Sequence, residues 1–139
     1  MSTTIRAELS EKNKYWVERH RYYELKHFCL QYPLWKKALS EIDGFTKSAS
    51  HRTRLSKTNA ISDPTFKYAE ERKHLSDNIK MVENIAEKTD NMLSGYILRA
   101  VTEGIAYDQL RARYNIPCCK DIYYNSYRRF FWLLDKTRR

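Results

Sequence analysis

Apolar and polar positions along this chain follow a helical rather than a strand rhythm. Between Ser10 and about Gln31, the residues Tyr15, Trp16, Tyr22, Tyr23, Leu25 and Phe28 recur among charged neighbours. That pattern predicts a first helix, N-capped by Ser10 and opened by Lys12 to Lys14. Tyr32-Pro33 predicts a break, because proline has no amide to donate and biases the preceding residue away from the helix. Leu34 to about Ile42 then predicts a shorter helix that packs Leu34, Trp35, Ala38 and Ile42 and ends at Gly44. Residues 44–62 show no periodicity and read as a flexible linker. Ser62-Asp63-Pro64 starts a new helix: Asp63 can cap free amides, and Pro64 sits where a missing N–H costs nothing. Phe66, Ala69, Leu75, Ile79, Val82 and Ile85 continue it for about 25 residues at helical spacing. Its apolar side suits either an antiparallel pair with the first helix or a dimer interface.

The C-terminal third carries the clearest pattern. Thr89-Asp90 predicts a cap for a helix whose inward set is Met92, Leu93, Tyr96, Ile97, Ala100 and Val101, closed by Gly104. A short helix follows from about Tyr107 to Tyr114, with Leu110 inward. Asn115-Ile116-Pro117-Cys118 predicts a turn, and a last helix runs from about Cys119 to Lys136 on an inner stripe of Tyr123, Tyr127, Phe130 and Leu134. Three helices, the second short and followed by a brief turn, form the order of a helix-turn-helix. The predicted fold is therefore all-α. It comprises an N-terminal helical arm (residues 1–45), a basic flexible linker (46–62), a long central helix (63–88) and a C-terminal helix-turn-helix domain (89–139).

Composition sharpens this picture mainly through charge. The formal net charge is +9, and its distribution is uneven: residues 46–62 hold four basic and no acidic groups, and residues 104–139 hold eight and three. Positive charge gathered in one loop and the last third implies a polyanionic partner met at defined places. The three cysteines, Cys29 and the adjacent Cys118-Cys119, lack the spacing of a disulfide framework or a zinc site. No 18-residue apolar run and no signal-peptide core occur, which predicts a protein of the cytoplasm with no membrane partner. His20, His27, His51 and His74 are scattered without triad partners. Glu70-Glu71 and Glu83/Glu87 read as solvated helix surface, and no glycine loop for phosphate occurs. Neither catalysis, a cofactor nor a metal is expected. Cys118-Cys119 would lie at a helix N-terminus, where a thiolate is stabilised, although two small side chains in a turn are the simpler reading.

With the inner stripe of the last helix assigned, its outer face near the N-terminus carries Lys120, Asp121, Tyr124 and Asn125. These side-chain types reach base edges: Lys to guanine, Asn to adenine, Asp to a cytosine amine, Tyr to a thymine methyl. Arg111, Arg113, Arg128 and Arg129 are placed for phosphates, and Arg52, Arg54 and Lys57 in the linker are secondary candidates. Tyr15, Trp16, Tyr22 and Tyr23 alternate with Glu18 and Glu24, which assigns that helix to packing or dimerisation.

Residues from about Tyr15 to Lys136 resemble the phage late-transcription activators of the RinA and ArpU type, especially a lactococcal and streptococcal phage subgroup. The resemblance rests on Tyr32-Pro33 with Trp35, on Ser62-Asp63-Pro64-Thr65, on Ile116-Pro117 before Tyr123-Tyr124, and on Arg128 through Lys136 (RRFFWLLDK). It implies a C-terminal domain similar to the sigma-70 region 4 fold, with Lys120, Asp121, Tyr124, Asn125 and Arg128 on the recognition helix. It also implies binding to double-stranded DNA upstream of late genes and help for host RNA polymerase. Where relatives carry Ser or Thr before that helix, this chain has Cys119. Two other functions fit the same helices: a small terminase-like component of phage DNA packaging, and a protein–protein adaptor built on the aromatic face. A homodimer stays open in each.

Overall fold

The computed structural model describes residues 13–53 and 62–139, with side chains described over 13–44 and 67–139. Most of these residues are helical and none forms a strand, so the fold is all-α. The helices are α1 (Arg19–Leu30), α2 (Tyr32–Thr53), α3 (Ser62–Thr89), α4 (Ser94–Glu103), α5 (Tyr107–Tyr114) and α6 (Lys120–Thr137). The chain gathers into two units. One joins the segment up to Gln31 to the segment from Met81 onward, and the other is Tyr32–Lys80. The segment expected as an N-terminal arm is thus divided between them.

In the Tyr32–Lys80 unit, Tyr32 opens α2 and Pro33 occupies its first turn, where no intrahelical amide is needed. The helix does not stop at Gly44. It continues to Thr53, through part of the stretch expected as linker. Glycine costs a helix only about 1 kcal/mol relative to alanine, and no proline follows before Pro64 to force an end. Trp35 and Ile42 are buried as predicted, but Leu34 is 66% exposed and points away from the core. Asp43 and Arg72 join α2 to α3 through a 2.7 Å ion pair between half-exposed side chains. Such a pair contributes under about 1 kcal/mol. On α3 the apolar stripe becomes buried from Leu75 onward, whereas Ala69 is exposed.

The other unit contains α1, the last turns of α3, and α4 to α6. Helix α1 starts at Arg19, where Glu18 accepts the Arg21 amide at 3.0 Å. Ser10, the expected cap, lies outside the described residues. The delay has a local cause: Asn13 accepts the amide of Tyr15 at 2.8 Å and turns the chain, a side-chain bond that competes with helix. Helix α1 packs on both α4 and α6. Tyr22, Leu25 and Cys29 meet a core that includes Val82, Ile97, Leu110, Tyr123, Phe130, Phe131 and Leu134, each at most 1% exposed. Rings set the packing: Phe131 makes edge contacts with Tyr22 (5.1 Å between centroids), Tyr127 (5.0 Å) and Phe130 (5.1 Å). Inside this cluster the hydroxyls of Tyr22 and Tyr127 share a 2.9 Å hydrogen bond.

The α1–α6 contact is also pinned by charge. The Arg21 guanidinium donates to Asp135 Oδ1 at 2.7 Å, and it reaches the backbone carbonyls of Asp135 (3.4 Å) and Arg138 (3.1 Å). One side chain thereby satisfies carbonyls at the end of α6 that have no helical partner. Arg138 lies 3.7 Å above the centre of the Phe28 ring.

Candidate nucleic-acid interface

The three C-terminal helices meet at turns whose geometry follows from single residues. Helix α4 begins at Ser94, later than its apolar pattern predicts. Met92 is not inward but 83% exposed, in a turn where Asp90 accepts the amides of Met92 (2.9 Å) and Leu93 (3.2 Å). Helix α4 closes on Gly104 at φ 70°, a left-handed conformation that glycine adopts without strain. Helix α5 matches its predicted range and ends on Asn115 in the same left-handed region, φ 52° and ψ 50°. Asparagine is the side chain after glycine that visits this region most readily. Ile116 is buried and anchors the turn, and Tyr107 donates its hydroxyl to the carbonyl of Cys118 at 2.7 Å. The rings of Tyr107 and Tyr123 lie 5.4 Å apart and seat α5 on α6.

Helix α6 starts at Cys119 as N-cap, with no side-chain hydrogen bond over its first amides. Tyr123, Tyr127, Phe130 and Leu134 all face inward as the periodicity requires. The polar residues opposite fall on two neighbouring ridges at i, i+4 spacing. The first holds Lys120, Tyr124 and Arg128. Lys120 is exposed and Arg128 half-buried, and the half-buried Tyr124 ring stands edge-on against Tyr123 at 5.0 Å. The second ridge holds Asp121, Asn125 and Arg129, all exposed. Arg111 and Arg113 project from α5 into solvent.

The second ridge forms one wall of an open groove of about 440 Å³, which Tyr15, Thr89, Asp90, Ile122 and Ser126 complete. Here Arg129 donates to the carbonyl of Thr89, the last residue of α3, at 3.3 Å. A cation at a helix C-terminus is electrostatically favoured, so this contact occupies a side chain that the sequence suggests for phosphate. The groove also carries Asp90 and Asp121, which do not favour a phosphate. The structure therefore groups Lys120, Tyr124 and Arg128 on one side of α6 and Asp121, Asn125 and Arg129 on the other.

No family model, no curated protein and no solved structure matches the chain.

Of the linker candidates, Arg54 and Lys57 lie outside the described residues, and Arg52 falls in the last turn of α2 with its side chain outside them. Among the described residues no group of three or more His, Cys, Asp or Glu is placed to hold a metal ion. No helix among them is long and apolar enough to cross a membrane. Sequence reasoning missed Ile122, 54% exposed on the groove, whereas Tyr15, assigned to packing or dimerisation, sets its ring against Trp132 of α6 at 5.3 Å. The heptad-like spacing of Ile122 from Arg129 was legible, but the approach of the N-terminal segment to α6 leaves no mark in the sequence.

Proposed function

We propose that this chain binds double-stranded DNA sequence-specifically, through the first turns of α6 in a helix-turn-helix formed by α4, α5 and α6. One observation carries the reading. A short helix and a left-handed turn lead into a long amphipathic helix whose first two turns expose Lys120, Asp121 and Asn125, with Tyr124 half-buried beside them. In this reading Lys120 donates to guanine, Asn125 pairs with adenine, Asp121 accepts from cytosine and Tyr124 touches a thymine methyl. Arg111, Arg113 and Arg128 hold phosphates and fix register without reading sequence. The resemblance to phage late-transcription activators extends this to activation of late genes with host RNA polymerase as partner.

The test is selection of bound sites from a random DNA pool at physiological salt, using the full-length chain. An enriched motif that disappears on replacing Lys120, Tyr124 and Asn125 supports specific reading. Salt-sensitive binding without a motif replaces it with a packaging role, and absence of binding leaves the adaptor function.

A further inference from the structure

One face of α6 carries opposite charges on successive turns. Asp121, Ile122, Asn125 and Arg129 are all exposed along it, and Ile122 keeps 54% of its surface in solvent. Asp121 makes no hydrogen bond or ion pair among the described residues, although the chain carries a net charge of +9. Arg129 donates from one nitrogen to the Thr89 carbonyl at 3.3 Å, which leaves guanidinium donors for a further acceptor. Eight residues of helix separate Asp121 from Arg129, about 12 Å along the axis, too far to pair within one chain. Asn125 lies midway between them.

We propose that this face is the contact between two copies of the chain. Their α6 helices run antiparallel about a two-fold axis at Asn125, so that each Asp121 meets the other copy's Arg129. A two-fold contact uses the same patch twice, so the patch must complement itself. An axis at Asn125 sets the residue four before it opposite the residue four after it, and on this face the acid stands before and the base after. A parallel pairing in register would set like charges side by side. Two ion pairs form in the antiparallel one, and the Asn125 amides on the axis can each donate and accept. Ile122 arrives at the level between the other copy's Asn125 and Arg129. There the groove of about 440 Å³ opens beside Ser126 and Tyr15 and gives the exposed apolar side chain a place to enter.

Charge decides between this occupant and others. A basic peptide would satisfy Asp121 but bring a cation against Arg129, and a phosphate backbone would satisfy Arg129 but meet Asp90 and Asp121 on the groove. A second copy satisfies both ends at once. One helix face and one groove make a small interface, so dissociation is expected near about 10 μM. The pairing covers Asp121 and Asn125, two of the residues assigned above to base edges. Dimer and DNA therefore exclude each other, and the free chain masks its own reading face as its concentration rises. That consequence rests on the function proposed above; the pairing does not.

The experiment is sedimentation equilibrium of the full-length chain from about 1 to about 200 μM, where a monomer–dimer equilibrium is expected. Asp121→Arg and Arg129→Glu each turn two attractions into two repulsions and should weaken the dimer about tenfold or more. The double variant Asp121→Arg/Arg129→Glu restores both pairs with reversed polarity and should return to within about threefold of the unmodified chain. No contact within one chain explains such a rescue, because the two positions are two turns apart. Asn125→Lys sets two ammonium groups together on the axis and should weaken the dimer without touching either pair. Thermal midpoints show that each variant is folded; if Arg129→Glu is not, an undiminished dimer in Asn125→Lys overturns the pairing. A chain that stays monomeric, an assembly larger than two, or a folded double variant no better than the single ones also overturns it. A DNA hairpin bearing one copy of the selected site should then strip the dimer to one chain per hairpin. Two chains retained on the hairpin overturn the masking of the reading face. Absence of DNA binding overturns the function proposed above, and the sedimentation result still decides the pairing.

Discussion

The two halves of α6 differ in what holds them. From Phe130 onward the helix is locked: Phe130, Phe131 and Leu134 are at most 1% exposed, and Arg21 ties Asp135 and the terminal carbonyls to α1. Before Tyr123 the helix is bare. Its N-cap makes no side-chain bond, and Lys120, Asp121 and Ile122 are exposed in its first turn. The difference teaches how a terminal helix can carry a recognition surface. A helix is stiff, so fixing one end in a packed core fixes the direction of the other, whose side chains are then free for a partner.

The strongest way to break this comparison is to empty the locked end. Phe131→Ala removes a ring that touches three others, and such truncations cost about 3–5 kcal/mol. Urea unfolding of the variant should show a correspondingly lower midpoint. A cost below about 1 kcal/mol would mean that the aromatic cluster does not hold α6.

High pH attacks the same cluster. Burial raises the Tyr127 hydroxyl well above its usual value, with Tyr22 adding through charge and their hydrogen bond; Cys29 is raised by burial. In the unfolded chain these groups ionise near about pH 10 and about pH 8.5. The folded state therefore holds more protons above those values, and stability falls as pH rises. The loss for each group is about 1.4 kcal/mol per pH unit beyond its unfolded pKa. Unfolding midpoints taken from pH 7 to pH 10.5 should be level at first and then drop, with Cys29→Ala delaying the onset. A level profile throughout would show that water reaches these groups in the folded state.

At the bare end, the second ridge of α6 and the exposed arginines of α5 give separable expectations. Asn125→Ala should lose about 1–3 kcal/mol of preference at one base pair while leaving affinity for random DNA nearly unchanged. Arg111→Ala should weaken all DNA alike and flatten the salt dependence by about one unit of slope. Arg129→Ala should leave that slope in place, because its guanidinium is engaged with the Thr89 carbonyl. A slope that falls by one with Arg129→Ala would instead return that residue to the phosphate set.

Much of this molecule was legible in its sequence, for local reasons. The inner stripe of α6, the range of α5, the left-handed Gly104 and the tolerance of Asn115 all follow from periodicity and turn chemistry over a few residues. The misplaced elements involve competition that local pattern does not resolve. Gly44 and Ser/Thr-rich sequence looked like an end, yet nothing there forbids helix, and α2 continues. Met92 fits the α4 stripe in phase but falls in the turn that Asp90 holds. Least legible were contacts across the chain. Arg21 and Asp135 are 114 residues apart in sequence, and neither the pair nor the Arg129–Thr89 contact has a sequence signature. The outer residues of α6 and their i, i+4 ridges follow from spacing, but the groove along the second ridge needed the position of Tyr15 and the end of α3.

The smallest expected effect is also the most direct probe of the bare end. Cys119 stands at the N-cap with extended backbone, the conformation in which serine or aspartate accepts a hydrogen bond from an amide of the first turn. Cys119→Ser should therefore stabilise the fold by about 0.5–1 kcal/mol, and Cys119→Asp should do at least as well because its charge also meets the helix dipole. Both are read as upward shifts of the thermal midpoint. On DNA the two should part. Serine leaves the charge beside Lys120 unchanged, whereas aspartate adds a second acidic group next to Asp121 and should weaken binding while raising stability. If aspartate raised both, the first turn of α6 would face away from phosphate, and the reading surface would have to lie further along the Tyr124 and Arg128 ridge. If neither substitution stabilised the fold, the amides of that turn would already have acceptors, and the contrast between the two halves of α6 would lose its basis.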